Sequence, residues 1–172
     1  MPIDMQTLLV ATDFSEASRS ATTYAFHLAR ALRAHLYLLH VVPEDDVRLI
    51  TAISPHLQSS ITPTALTDIF YTEADKRLTQ LVEEAHAADL VQERLVVTGE
   101  PADAILSWAA AKQVHLLILG THGRRGLSHL LLGSVAERVL HQAPCAVVVV
   151  PAATQCATLS VTPSSLGEKG TP

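Results

Sequence analysis

Five short runs of strand-forming apolar residues, separated by segments whose apolar residues recur every three to four positions, constrain this chain more than any other feature. The runs are Thr7 to Thr12 (TLLVAT), His35 to Val42 (HLYLLHVV), Leu95 to Thr98 (LVVT), Leu116 to Leu119, and Ala146 to Val150 (AVVVV). From Glu16 to Ala34, the residues Ala21, Ala25, Leu28, Ala29 and Leu32 form a helical stripe, with Arg19, Arg30 and Arg33 largely off it. A second stripe runs from Ile69 to Ala88 through Leu78, Leu81, Val82 and Ala85. A third helix starts at Pro101 and carries Ile105, Leu106, Trp108 and Ala109, and a fourth spans Ser134 to Gln142. Strict alternation of strand and helix predicts a doubly wound α/β fold: a five-stranded parallel sheet with right-handed crossovers and helices on both faces.

Local signals punctuate that order. Ser15 is placed to cap the first helix, and Pro43 with Glu44, Asp45 and Asp46 stops the second strand. Gly99 closes the third strand, Pro101 fits a first helical turn, and Asp103 suits the positive end of that helix. The stretch 46–67 contains Pro55, Pro63 and several Ser and Thr, so it reads as a long excursion with short helical pieces. Lying after the second strand, residues 43–70 are in position for a lid over a ligand. Residues 152–172 are rich in Thr, Ser, Pro and Gly and are expected to be a disordered tail, leaving 1–151 as one domain.

Composition narrows the partners. Twelve Lys and Arg against seventeen Asp and Glu give a formal charge of -5, which argues against a wide basic nucleic-acid surface, so any anion site must be local. The segment Met1 to Thr7 has no secretory pattern, and no apolar run approaches the roughly 18 residues that span a bilayer, so the chain reads as cytoplasmic, away from membranes. Cys145 and Cys156 lack metal or redox spacing and read as free thiols.

The most informative stretch is Gly120-Thr121-His122-Gly123-Arg124-Arg125-Gly126, followed by Leu127 to Leu132 and then Gly133-Ser134. Glycines let backbone N–H groups approach an anion closely, and the helix start at Gly133-Ser134 directs its own N–H groups and dipole at it. There is no G-x-x-x-x-G-K-[ST] and no G-x-G-x-x-G after the first strand, which removes the usual kinase-type and dinucleotide loops. What matches is G-x-x-G, nine residues, then G-[ST], on Gly120, Gly123, Gly133 and Ser134.

That pattern resembles the ATP-binding members of the universal stress protein family, whose fold is of the flavodoxin and adenine-nucleotide α-hydrolase kind. The likeness extends to TLLVATDFSEAS at the start, HVV in the second strand, GEPADAIL, and APCAVVVVP near the end. It covers roughly residues 6 to 151 and is poor over 43 to 70. The resemblance implies strand order 3-2-1-4-5, with the first and fourth strands adjacent at the topological switch point. It implies that Thr12 and Asp13 line the ribose and phosphate region and that Val41 meets adenine through its backbone. Gly120, Gly123, Arg124, Gly133, Ser134 and Val135 would surround the phosphates of ATP. It also implies a homodimer through the last strand, Ala146 to Val150, whose apolar edge would otherwise stand bare.

Plainer readings stand beside these. Ser134 and Glu137 form S-x-x-E, a capping box. Asp13 could brace the first helix, face ribose hydroxyls or hold magnesium. Arg124 and Arg125 could be solvated loop charges. His122 and His129 have no metal spacing, His35, His40 and His115 sit at strand edges, and all of these read as structural or surface histidines. No catalytic residue is assigned, because the loop has no lysine and no clear base beyond Asp13. The favoured function is an ATP-binding regulatory protein of the stress response, and the alternative is a slow Mg-dependent ATPase or a phosphoryl or nucleotidyl transferase. A G-x-x-G clamp on RNA, like that of a KH domain, is opposed by the acidic balance and by the strand-to-helix setting.

Overall fold

The strands and helices follow from where apolar side chains can be buried. The computed structural model describes residues 6–53, 63–121 and 132–152. In chain order the elements are β1 (Thr7–Ala11), α1 (Glu16–Leu32), β2 (His35–Pro43), α2 (Glu44–Ile53), α3 (Pro63–Glu84), β3 (Val91–Gly99), α4 (Pro101–Ala111), β4 (Leu116–Gly120), α5 (Ser134–Gln142) and β5 (Ala146–Val150). All five strands are parallel, in the order β3-β2-β1-β4-β5, as expected.

Alternation along β1 divides the core in two. Leu8 and Val10 join Leu36, Leu38 and Ile118 under α1 and α3, where Ala21, Ala25, Phe26, Ala29, Leu78 and Val82 are buried. Leu9 and Ala11 join Leu39, Val41, Leu117 and Leu119 under α4 and α5, against Ala102, Ile105, Ala109, Ala136 and Val139. A strand buried on both faces must be apolar at every position, which is why β1 and β2 read as continuous apolar runs. Small alanines on α1 allow it to lie close on the sheet despite the shortage of aromatic bulk.

Helix ends are fixed by side chains and backbone reversals. Ser15 caps α1 as expected, its hydroxyl accepting from the Ser18 N–H at 3.3 Å. Arg33 takes φ 54° to close α1, and Arg30 donates to the carbonyls of Ala85 and His86 at 3.0 and 2.6 Å, tying α1 to the end of α3. Glu100 caps α4 through the Asp103 N–H at 3.0 Å, with Pro101 in the first turn.

Several boundaries differ from the sequence-based expectation. β3 begins at Val91 rather than Leu95: Glu93 and Arg94 pair with Tyr37 and Leu38, Gln92 falls at a register shift beside them, and all three expose their side chains and leave no apolar signal. α2 follows Pro43 directly, and α3 starts at Pro63, so much of the expected excursion is helical; 54–62 and the tail from 153 lie outside the described residues. α5 is capped by Gly133, which makes no side-chain capping bond, so Ser134 is the first helical residue and the S-x-x-E pair is not a capping box. No helix among the described residues is long and apolar enough to cross a membrane.

Cys145 packs half-buried against the α4 and α5 side of the core. Burial raises its thiol pKa above the ordinary 9.0, partly opposed by a hydrogen bond with the Leu117 backbone. The unfolded chain therefore loses this proton first, so the group's contribution to stability is intact below the ordinary value and lost as pH rises through the folded value. In a Cys156→Ser background, iodoacetamide at pH 8 is expected to label native Cys145 at least about tenfold more slowly than the urea-unfolded chain. Equal rates would show an open thiol.

Candidate functional site at the carboxyl ends of β1, β2 and β4

β1 stops before its neighbours do, and the candidate site occupies the space beyond its end. The β1–β2 register ends at Ala11 and Leu39, with a last bond from the Thr12 N–H to the Leu39 carbonyl at 2.9 Å, while β2 continues to Pro43. On the other side, β4 continues to Gly120, where it still pairs with Val150. The result is a cleft of about 610 Å³, within the range of small-ligand sites. Leu39, Val41, Pro43, Ile105 and Leu119 give it an apolar wall; Thr12, Asp13, Ser18, Glu100 and Thr121 add polar groups, and the start of α2 contributes Glu44, Asp45 and Asp46.

The β1–α1 turn is internally wired. The buried Thr12 hydroxyl donates to Ser18 Oγ at 3.0 Å and accepts from the Phe14 N–H at 3.1 Å. Asp13 Oδ1 accepts from the Ser15 N–H at 3.0 Å, so Asp13 braces the helix entry while also lining the cleft. Phe14 holds φ 63°, a left-handed conformation that is costly for a bulky side chain. Its ring stacks on His40 with centroids 4.5 Å apart, and the Arg77 guanidinium lies 5.5 Å from its centroid.

At Gly120 the requirement for glycine is steric. A Cβ there would stand 2.8 Å from the Ala17 carbonyl carbon and 2.9 Å from both the Ala17 oxygen and the Ser18 nitrogen, all backbone atoms of α1. The glycine therefore lets the first turn of α1 close on the end of β4, and it lines the cleft as a consequence. Beyond it, the Thr121 N–H donates to the Val150 carbonyl at 2.9 Å, and the Gly133 N–H donates to the Thr121 carbonyl at 2.7 Å. The loop thus leaves and returns at one point, delivering the start of α5 to the cleft.

That helix start presents N–H groups that lack intrahelical acceptors, since the first i to i+4 bond runs from Glu137 N–H to the Gly133 carbonyl. Ser134, Val135 and Ala136 all line the cleft. One turn further, Arg138 donates to Glu100 Oε2 at 2.9 Å and to Asp103 Oδ1 at 2.5 Å, clamping α5 to the capped start of α4. These side chains are about half exposed, so the clamp orients the two helix starts more than it stabilises the fold.

Thr12, Asp13, Val41, Gly120, Gly133, Ser134 and Val135, all singled out from the sequence, meet in this cleft. Gly123 and Arg124 lie outside the described residues, as do Arg125, His122 and His129. His40 corrects its reading as a strand-edge residue: it lies inside β2, is 5% exposed, and its Nδ1 is 2.8 Å from the Thr12 carbonyl oxygen. The sequence signal was a lone polar residue on the face shared by Leu36 and Leu38. Glu100 and Arg138 also escaped notice, because glutamate is a poor predictor of a cap and Arg138 is 35 residues or more from its partners in sequence. Among the described residues no group of His, Cys, Asp and Glu is placed to hold a metal by itself.

The fold and cleft together define a doubly wound α/β protein with its pocket at the switch point between β1 and β4, where this architecture receives ligands. The sequence profile of the Universal stress protein family matches residues 5–151, and the chain belongs to that family. It is 32% identical over 157 residues to universal stress protein YxiE of Bacillus subtilis, covering 83% of this chain and 97% of that one. The solved structure of MJ0577, a universal stress protein of Methanocaldococcus jannaschii, superposes with a TM-score of 0.71 at 25% identity over 87% of this chain and 97% of that one. A universal stress protein solved in complex with cAMP superposes with a TM-score of 0.58 at 26% identity over 86% of this chain and 98% of that one.

Gly120→Ala is expected to cost about 1–3 kcal/mol in urea unfolding, because backbone rather than a flexible side chain must move. A variant as stable as the parent would mean that α1 does not close on β4 as described.

Proposed function

We propose that this protein binds ATP and acts in the cytoplasm as a nucleotide-regulated protein of the stress response.

 The activity proposed is binding, with magnesium accompanying the nucleotide, and not rapid turnover. One observation carries the reading: the residues that the family likeness assigns to a nucleotide, Thr12, Asp13, Val41, Gly120, Gly133, Ser134 and Val135, line one cleft. The apolar wall of Leu39, Val41 and Ile105 suits adenine, Thr12 and Asp13 suit the ribose and phosphate side, and the start of α5 suits the phosphates. Gly123 and Arg124 complete the proposed phosphate loop. Asp13 offers magnesium one carboxylate, with the phosphates supplying further oxygens. That a family member was solved in complex with cAMP supports an adenine nucleotide as the ligand. Residues 1–151 make up the proposed nucleotide-binding domain, and 152–172 the proposed tail.

Binding to the native state alone stabilises a fold by about 2.7 kcal/mol at a hundredfold excess of ligand over Kd, enough to link occupancy to persistence or to choice of partner. Calorimetric titration of nucleotide-free protein with Mg-ATP is expected to give saturable binding that is lost in a folded Gly123→Val, Gly133→Val double variant. No binding to the parent protein would overturn the proposal.

The proposed assembly is a homodimer through β5. That strand ends the described sheet, with Ala146 exposed and Val147, Val148 and Val149 only half-buried, an apolar edge of the kind a second copy covers. Sedimentation at micromolar concentration is expected to give twice the 18.5 kDa of one chain, and a particle of 18.5 kDa throughout would refute the dimer.

A further inference from the structure

We infer that His40 is a positioning residue that ends the β1–β2 ladder and so leaves the Val41 backbone edge available to the base of a bound nucleotide, an inference that rests on the proposed nucleotide site. In a parallel pair, the N–H and C=O of one residue point to the same neighbouring strand, and the direction repeats every second residue. Leu39 faces β1, because its carbonyl accepts from the Thr12 N–H at 2.9 Å. Val41 therefore faces the same side, where a continued ladder would give its N–H to the Thr12 carbonyl.

The ladder instead stops at Leu39, and the Thr12 carbonyl lies 2.8 Å from His40 Nδ1. A carbonyl only accepts, so Nδ1 carries the proton. The buried imidazole thus takes the acceptor that Val41 would have used, from the opposite face of the sheet to the cleft. Phe14, at φ 63°, packs its ring against the imidazole with centroids 4.5 Å apart. Val41 itself lines the cleft, and its N–H is left facing the space beyond the end of β1.

The test compares His40→Asn, whose side-chain amide nitrogen can stand where Nδ1 stands, with His40→Leu, which has no donor. Circular dichroism and melting first establish that both variants fold. Without ligand, the Val41 amide is expected to exchange with deuterium quickly in the parent protein and in His40→Asn, and to gain at least about tenfold protection in His40→Leu as the ladder extends. With ligand, His40→Leu is expected to lose about tenfold in Mg-ATP affinity while its affinity for tripolyphosphate, which has no base, is unchanged; His40→Asn retains both. Equal Val41 exchange in all three proteins overturns the inference whether or not nucleotide binds. Failure of the parent to bind Mg-ATP, with the exchange pattern as expected, overturns the nucleotide site but leaves the ladder-ending role of His40 supported.

Discussion

The structure depends on β1 being paired on both edges and buried on both faces, yet ending before its neighbours do. Its pairing with β2 and β4 joins the two halves of the sheet, and its alternating side chains anchor both core layers. Because the chain leaves the sheet after Ala11 while β2 runs on to Pro43 and β4 to Gly120, the cleft is a geometric consequence of where β1 ends. Every other element of the site is fixed relative to that ending: the turn through Thr12 and Asp13, the close approach of α1 to Gly120, and the delivery of α5 by Thr121 and Gly133.

The site combines two kinds of constraint. Steric constraint sits at Gly120, where backbone meets backbone, and at Phe14, an aromatic residue at positive φ whose ring packs against His40 and Arg77. Polar constraint sits in the Thr12, Ser15 and Ser18 lattice and in the Arg138 clamp on Glu100 and Asp103. The first kind sets position; the second adds orientation, through the buried Thr12–Ser18 pair and the partly exposed Arg138 clamp, the latter of small energetic weight. A cleft arranged this way is preorganised before any ligand arrives, which reduces the ordering cost of binding.

Much of this was legible in the sequence. Apolar runs gave the central strands, because burial on both faces leaves no polar interruption, and the edge strand β3 was cut short, because Gln92 to Arg94 face solvent. Gly133 and Ser134 were correctly placed at the start of α5, but the cap moved by one residue, since a glycine in extended backbone serves as well as a serine. Gly120 stood out in the sequence as a phosphate-loop glycine, and the close packing of α1 is a separate reason for glycine there.

By itself, the sequence determined the order of strands and helices, the apolar core, and the family, because these follow from local periodicity and from motifs contiguous in the chain. Only the tertiary structure decided that β1 stops short, that His40 reaches the Thr12 carbonyl, and that Arg138 meets Glu100 across two helices. Those contacts join residues far apart in sequence, and their partners are chosen by how the layers pack, which no local pattern of residues records.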